Sequence, residues 1–309
     1  GMNAAIRAVV RTANYHKIEC VGVRGGYTGL IEGNFTKMGP RSVNNIINLG
    51  GTILRSARSK EFRTEEGRQK AFEQCQKNGI DALVCIGGDG TFTGAKIFAE
   101  EFGVKVIGVP GTIDNDIFGT DFTIGYDTAL NTAMEAIDKI RDTATSHNRV
   151  FFIEVMGRDA GFIALNSGIA SGALDILIPE KKDSLEDLFE TFEKAQKRGK
   201  TSSIVIVAEG ERLASTYELA EQTKQRFPDY DIRVSILGHI QRGGAPSCAD
   251  RVLASRMGYG AVVGLMKGLT NVMAGIRSND LVFTPIEDAI RKHNEINQDL
   301  LQIAEILAM

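Results

Sequence analysis

Pro110-Gly111-Thr112-Ile113-Asp114-Asn115-Asp116 places two carboxylates in one turn, directly after the apolar run Val104 to Val109, which reads as a buried strand. Upstream, Gly87-Gly88-Asp89-Gly90-Thr91 follows the apolar run Ala82 to Ile86 in the same manner. Both loops therefore fall at the carboxyl ends of what read as adjacent parallel strands, where open α/β sheets place their ligands. Three acids drawn to one crevice need a metal or a proton to coexist.

Working outward, short β-rich runs alternate with segments of helical periodicity. This is the pattern of an α/β fold in two lobes, each a mostly parallel sheet flanked by helices. Strands are expected at Ile18 to Val23, Ala82 to Ile86, Val104 to Val109, Val150 to Val155, Ile176 to Ile178, Ser203 to Ala208, Asp231 to Ser235 and Asn271 to Ile276. Helices are expected at Glu65 to Lys77, Thr91 to Glu101, Asp127 to Thr143, Leu185 to Lys197 and Ala249 to Met266. In the helix from Asp127, the spacing of Leu130, Met134, Ile137 and Ile140 predicts the buried face, with Asp127 as N-cap. No repeat, low-complexity tract or Pro/Gly/Ser linker separates the lobes, so they are expected to exchange segments: 1–125 with 240–289, and 126–239 with 290–309.

The 309 residues are 43% hydrophobic and 24% charged, enough to bury a core in each of two lobes. A net charge of -3 and a pI near 5.9 argue against non-specific nucleic-acid binding, so any polyanion must be met by a local pocket. No apolar run approaches the ~20 residues that span a bilayer. No charged-then-apolar leader opens the sequence either, so no membrane partner is expected and the reading is cytoplasmic. Cys20, Cys75, Cys85 and Cys248 lack C-x-x-C spacing, and Cys85 lies inside an apolar strand, which favours reduced thiols over a disulfide or zinc framework.

A glycine loop between strand and helix lets backbone amides approach a polyphosphate, with the helix N-terminus adding partial positive charge. Asp89 would there hold a Mg2+ that bridges phosphate oxygens; the plain alternative is a tight turn that Asp89 and Thr91 merely cap. The loop is similar to that of NAD kinases and diacylglycerol-type lipid kinases, so it specifies phosphoryl transfer better than it specifies a substrate. For Thr112, Asp114 and Asp116, an acceptor hydroxyl that attacks phosphorus wants one carboxylate as base, while a neighbouring acid serves the metal. An Asx-rich turn that satisfies only its own amides is the alternative, but two acids in one turn repel unless a cation offsets them. Met156-Gly157-Arg158, Glu209 and Leu237-Gly238-His239-Ile240-Gln241-Arg242-Gly243-Gly244 each follow a strand and carry long polar side chains. Singly, such an arginine is commonly a surface ion-pair partner and His239 a structural imidazole. Together they describe a pocket for a phosphorylated sugar.

These loops resemble those of the ATP-dependent 6-phosphofructokinase family, and the resemblance runs through essentially the whole chain. It implies two α/β lobes with the active site in the cleft between them, and transfer of the γ-phosphoryl of Mg-ATP to the 1-hydroxyl of fructose 6-phosphate. Residues 1–125 with 240–289 would be the nucleotide-binding lobe, and 126–239 with 290–309 the sugar-phosphate lobe. The resemblance implies Asp114 as general base with Thr112 beside it, Asp89 and Asp116 serving magnesium, and Arg158 and Arg58 steadying the transferring group. Gly88, Asp89, Gly90, Thr91, Gly94, Tyr27, Arg58, Ser59 and Arg63 would face ATP. Thr112, Asp114, Asp116, Met156, Gly157, Arg158, Glu209, His239 and Arg242 would hold fructose 6-phosphate. Arg149 and Arg233 match arginines that reach across a subunit interface to the 6-phosphate, which implies a homotetramer with shared sites.

Pyrophosphate-using relatives carry Asp where Gly90 stands and Lys where Gly111 stands; glycine at both leaves room for ATP. Ser59 stands where an aromatic often packs near the nucleotide. Family members begin with a strand and a glycine-rich phosphate-contacting segment ahead of Gly1-Met2-Asn3. The Gly-Met pair reads either as a cleavage scar before an initiator or as native residues with more chain upstream. A polypeptide starting at Gly1 is expected to bind nucleotide weakly and to lack an interior strand. Arg7, Arg11, Arg141, Arg198 and Lys200 match a cationic effector pocket for ADP and phosphoenolpyruvate. Pro40, Leu174 and Ser202 replace an arginine, an acid and a basic or His position there, so an altered or absent effector response is expected. Two alternatives stand beside this reading: a pyrophosphate-dependent enzyme, and a non-catalytic ligand-binding subunit lacking the first strand.

Overall fold

The computed structural model describes residues 1–147 and 149–308. In chain order the elements are α1 (Met2–Tyr15), β1 (Cys20–Val23), α2 (Gly26–Glu32), β2 (Phe35–Met38), α3 (Glu65–Lys77), β3 (Ala82–Gly87), α4 (Asp89–Phe102), β4 (Lys105–Thr112), β5 (Ile124–Gly125), α5 (Tyr126–His147), β6 (Arg149–Val155), α6 (Phe162–Ser171), β7 (Asp175–Leu177), α7 (Leu185–Lys197), β8 (Ser203–Ala208), α8 (Thr216–Arg226), β9 (Asp231–Ile236), α9 (Cys248–Met266), β10 (Val272–Arg277), β11 (Asp280–Pro285), α10 (Ile286–Arg291) and α11 (Gln298–Leu307). Two compact units interleave along the chain. The first is Gly1–Thr112, Ile117–Asp127 and Gly244–Asn294; the second is Ile113–Asp116, Thr128–Gly243 and Glu295–Met309.

In the first unit the strand order is β11-β10-β4-β3, with β5 paired to the end of β4. β3, β4 and β10 run parallel, and β11 closes the sheet antiparallel through a turn with Ser278 and Asn279 in the left-handed region. Ala4, Ala5, Ala254, Met257 and Ala261 from α1 and α9 pack with Ile107 and Val109 in one buried cluster. Phe92, Ala95 and Ala99 of α4 pack with Val106, Met273, Ile286 and Ala289 in another. Alternate β4 residues thus enter different clusters. A strand buried on both faces is a continuous apolar run, which is why β4 was legible in the sequence.

In the second unit β7-β8-β6-β9 are all parallel, and every residue of β8 is buried. Val150, Phe152, Val205 and Val207 pack against Leu188, Phe192 and Leu219 of the covering helices. The Phe152 and Phe192 rings lie parallel, 6.2 Å apart.

Several expectations need correction. The strand expected from Ile18 starts at Cys20 and forms a separate antiparallel ribbon with β2, Cys20 opposite Met38 and Val23 opposite Phe35. β4 continues through Thr112 because β5 pairs with Gly111 and Thr112, so the first three residues of the carboxylate turn are strand. α5 begins at Tyr126, which puts Asp127 inside the first turn, at the positive end of the helix dipole, and not at the N-cap. The fully buried line of that helix is Ala129, Ala133, Ile137 and Ala144, while Leu130, Met134 and Ile140 are half-buried. Small alanines admit a close neighbour, so the larger side chains flank the contact. α4 starts at Asp89 with Gly88 as its N-cap, so neither Asp89 nor Thr91 holds the capping position. Residues Gly238–Arg242, expected as a loop, make a 3-10 turn. All four cysteines are free. Among the described residues no helix is long and apolar enough to cross a membrane.

Candidate functional site

In the first unit Gly87 lies opposite Pro110 in the parallel β3–β4 pair, so the glycine loop and Thr112 leave the sheet at the same edge. A Cβ at Gly88 would lie 3.8 Å from the Thr112 Cβ. Asp89, Gly90 and Thr91 form the first turn of the 14-residue helix α4. Gly90 is exposed, its φ is not positive, and a Cβ there would meet nothing within 4 Å. Neither packing nor backbone geometry demands glycine at this position.

Gly94, one turn on, is demanded by packing: a Cβ would lie 2.9 Å from Tyr27 Cε2 and 3.3 Å from the Phe62 ring. Tyr27 stacks on Phe62 with centroids 4.0 Å apart, and its hydroxyl donates to the Thr91 carbonyl at 2.5 Å. Burial, then the neighbouring Cys85 thiol, push the Tyr27 phenol above its ordinary pKa and keep it a neutral donor. Ser59 Oγ accepts from the Phe62 amide at 3.2 Å and so starts the short turn Glu61–Arg63, while Arg58 and Arg63 are exposed.

Asn3, which nothing in the sequence marks out, is buried in α1. Its Nδ2 donates to the carbonyls of Leu49 (3.0 Å) and Gly50 (3.3 Å), and its Oδ1 accepts from the Ile53 amide (2.8 Å), fixing the segment that leads to Arg58.

Beyond Thr112 the chain passes to the second unit. Asp114 is 8% exposed and Asn115 5% exposed, with Asn115 at φ 58°. A left-handed non-glycine residue costs about 1–3 kcal/mol, least for Asn, and such strain concentrates at working sites. Arg158 shares that strain at φ 56°, and its amide donates to the Glu209 carboxylate at 3.2 Å. The Glu209 amide donates to the Val155 carbonyl (2.9 Å) and the Leu237 amide to the Glu154 carbonyl (3.0 Å). Met156-Gly157-Arg158, Glu209 and the Gly238–Arg242 turn therefore gather at the carboxyl ends of the adjacent strands β8, β6 and β9. Gln241, buried and not singled out from the sequence, ties two of these loops together. It accepts from the Met156 amide (3.3 Å) and donates to the Gly238 carbonyl (3.1 Å). Arg158, His239 and Arg242 present exposed side chains.

Arg149 and Arg233 are brought together, but elsewhere. Arg149 is the first residue of β6, so it stands at the strand end opposite Met156, and the β6 span separates them by about 20 Å. Asp231, also passed over in the sequence, holds both: Arg149 Nε at 2.7 Å and Arg233 Nε at 3.0 Å. Hydrogen bonding from Arg149 first, then from Arg233, holds the Asp231 carboxyl below the usual carboxylate range.

Of the residues expected to form an effector pocket, Arg141, Arg198 and Lys200 converge in the second unit. Burial first, then the charges of Arg141 and Arg198, lower the Lys200 pKa, and the Arg141 guanidinium donates to the Ser171 carbonyl. Arg7 and Arg11 belong to α1 in the first unit, where Arg11 donates to Asn44 Oδ1 at 3.1 Å. Leu174 is 4% exposed within the apolar core of the second unit.

A glycine loop at a helix N-terminus, a buried aspartate after a strand end and exposed arginines on neighbouring loops are the equipment of a phosphoryl-transfer protein. The family model for phosphofructokinase matches residues 1–265. An ATP-dependent 6-phosphofructokinase 2 of Bacteroides thetaiotaomicron is 53% identical over 309 residues, covering 100% of this chain and 95% of the relative. An ATP-dependent 6-phosphofructokinase of Cytophaga hutchinsonii is 55% identical over 307 residues, covering 99% and 94%. The chain belongs to the phosphofructokinase family. Among solved structures, phosphofructokinase from Saccharomyces cerevisiae superposes with a TM-score of 0.90 at 36% identity, covering 94% of this chain; the chain spans 44% of the yeast chain. A pyrophosphate-dependent phosphofructokinase from Marinobacter aquaeolei superposes at 0.84 with 22% identity, covering 99% and 88%, a likeness of fold alone.

Proposed function

We propose that this chain transfers the γ-phosphoryl group of Mg-ATP to the 1-hydroxyl of fructose 6-phosphate, giving fructose 1,6-bisphosphate and ADP in glycolysis. The observation that carries the choice of donor is Gly90: an exposed glycine in the first turn of α4, with open space where a side chain would stand. A position that the fold leaves free, at a helix N-terminus suited to phosphates, is room kept for a nucleotide. The 53–55% identity to proteins named ATP-dependent supports the same donor.

In this reading Asp114 accepts the proton of the 1-hydroxyl as that oxygen attacks the γ-phosphorus and the bond to the bridging oxygen breaks. Thr112 and Asp116 orient the acceptor. Arg158 and Arg58 steady the charge spread over the transferring oxygens, and the α4 amides hold the phosphates. Glu209, Met156, Gly157, His239 and Arg242 hold the sugar phosphate. Mg2+ takes one or two carboxylates and fills its shell from phosphate and water, a demand that Asp89 in the first turn of α4 and Asp116 in the turn after Thr112 suit by residue type. Asp89 and Asp116 would supply those carboxylates. When bound, the ion neutralises phosphate charge.

Arg149 and Arg233 stand at the far strand end from Met156-Gly157-Arg158, so we assign them to the 6-phosphate of a neighbouring subunit's site, in a homotetramer. The first unit would then be the nucleotide side and the second the sugar-phosphate side. Lys200, Arg141 and Arg198 form an anion pocket for an effector, with Arg7 and Arg11 as its further arginines. Leu174 offers no carboxylate for an effector's metal, so the response to ADP and phosphoenolpyruvate is altered or absent. The setting proposed is cytoplasmic. A steady-state assay with fructose 6-phosphate and either donor tests the reading: turnover with Mg-ATP supports it, and turnover with pyrophosphate but not ATP overturns it.

A further inference from the structure

Arg68 projects inward from α3 and is 8% exposed. Its Nε and Nη2 fork onto the two carboxylate oxygens of Glu101 at 2.5 and 2.6 Å. Its Nη1 donates to the carbonyls of Phe62 (3.2 Å) and Arg63 (2.8 Å). Every nitrogen of the guanidinium is therefore engaged, on one carboxylate and on two consecutive carbonyls of a single turn. The fork holds Glu101 below the usual carboxylate range.

The partners form a closed circuit within the first unit. Glu101 sits in the last turn of α4, about 18 Å along the axis from Asp89 at its first. The turn that Arg68 grips carries Phe62 and Arg63 and follows Arg58 and Ser59. Phe62 stacks on Tyr27, and the Tyr27 hydroxyl returns to the Thr91 carbonyl beside the glycine loop. Both ends of α4 are thus tied to the same short turn, one end through an ion pair and the other through an aromatic stack.

We infer that Arg68 and Glu101 are positioning residues. They set where Arg58, Ser59 and Arg63 stand relative to the Gly88 to Thr91 loop, and so govern nucleotide affinity without touching the nucleotide. This rests on the Mg-ATP reading above. A lysine at 68 keeps the charge but cannot fork onto a carboxylate while also holding two carbonyls. A glutamine at 101 keeps an acceptor oxygen and loses the charge.

The test uses the full-length chain with Glu101→Gln, Arg68→Lys and the double variant, titrating Mg-ATP at saturating fructose 6-phosphate and the reverse, with Tm measured alongside. Each single variant is expected to raise KM for ATP at least about fivefold while KM for fructose 6-phosphate stays within about twofold. The double variant should do no more than the worse single, because the two side chains act as one device. Amide exchange at residues 59–64 should quicken in both singles. A lowered Tm with unchanged KM for ATP would show a purely structural ion pair and overturn the inference, as would equal rises in both KM values. If Arg68→Lys does not fold, Glu101→Gln decides alone, since the Glu101 side chain is 31% exposed and its loss leaves a smaller buried defect. Failure of the wild-type chain to use ATP at all would remove the donor reading and this inference with it, and the wild-type assay separates that case from the others.

Discussion

Replacing Gly90 by Asp should weaken the use of ATP while leaving the fold intact. The new Cβ would meet no atom within 4 Å, and the backbone at Gly90 is not in the left-handed region. An acid in the first turn of α4 interacts favourably with the helix dipole, by about 0.3–1 kcal/mol, and a residue with a Cβ loses less backbone entropy than glycine. Tm should therefore stay level or rise slightly. Toward the nucleotide the carboxylate faces phosphate charge. At about 5 Å with an effective dielectric near 20, like charges repel by about 3 kcal/mol, and screening reduces this to about 1–3 kcal/mol. That corresponds to a rise of about 5- to 150-fold in KM for ATP. KM for fructose 6-phosphate should hardly move. Gly90→Asn, equal in size but uncharged, should lose less and so separates crowding from repulsion. Steady-state kinetics with Mg-ATP varied, together with thermal unfolding, reads both halves. An unchanged KM for ATP, or a protein that no longer folds, would refute the reasoning.

Burial pushes the Asp175 carboxyl up to about 6, with Lys181 opposing. The protonated form is therefore favoured by folding, so the stability this group leaves intact below pH ~4 falls as pH rises to about 6 and is constant above. Asp175→Asn should stabilise the protein at pH 7.5 by up to about 3 kcal/mol and by little at pH 4 in denaturant titrations; an equal difference at both pH values would contradict the assignment. If Arg149 serves a neighbouring subunit's site, mixing and reassembling inactive Asp114→Asn and Arg149→Ala chains should restore measurable turnover in hybrids. Hybrids no more active than the parents would place Arg149 elsewhere.

Strands β3, β4, β6 and β8 were legible because a parallel strand covered on both faces is an unbroken apolar run, and the loops at their carboxyl ends then stood out by composition. Of the β1–β2 ribbon, β1 was expected, from Ile18, but β2 was not, since its four residues, with Thr36 and Lys37 both exposed, carry little periodicity. The buried face expected for α5 was placed correctly at Ile137 but missed the alanines at 129, 133 and 144, which weigh little in a hydrophobic pattern yet are the residues that allow close approach. The supporting polar residues were hidden for a different reason, the distance along the chain to their partners. Asn3 meets Leu49, Arg68 meets Glu101, Arg149 meets Asp231 and Met156 meets Gln241 at separations of 46, 33, 82 and 85 residues. Such pairs are set by the fold, and a lone Asn or Gln in a sequence points at nothing until its partner is placed beside it.

The assignment of Asp114 as the base that relieves the sugar hydroxyl of its proton is tested by kcat of Asp114→Asn, a change that keeps the size of the buried side chain and removes only its charge. With saturating Mg-ATP and fructose 6-phosphate, kcat should fall by about 10²- to 10⁴-fold while both KM values stay near those of the wild type. Turnover within about threefold of the wild type would contradict general-base catalysis by Asp114 and, with it, the phosphoryl-transfer site built around that residue.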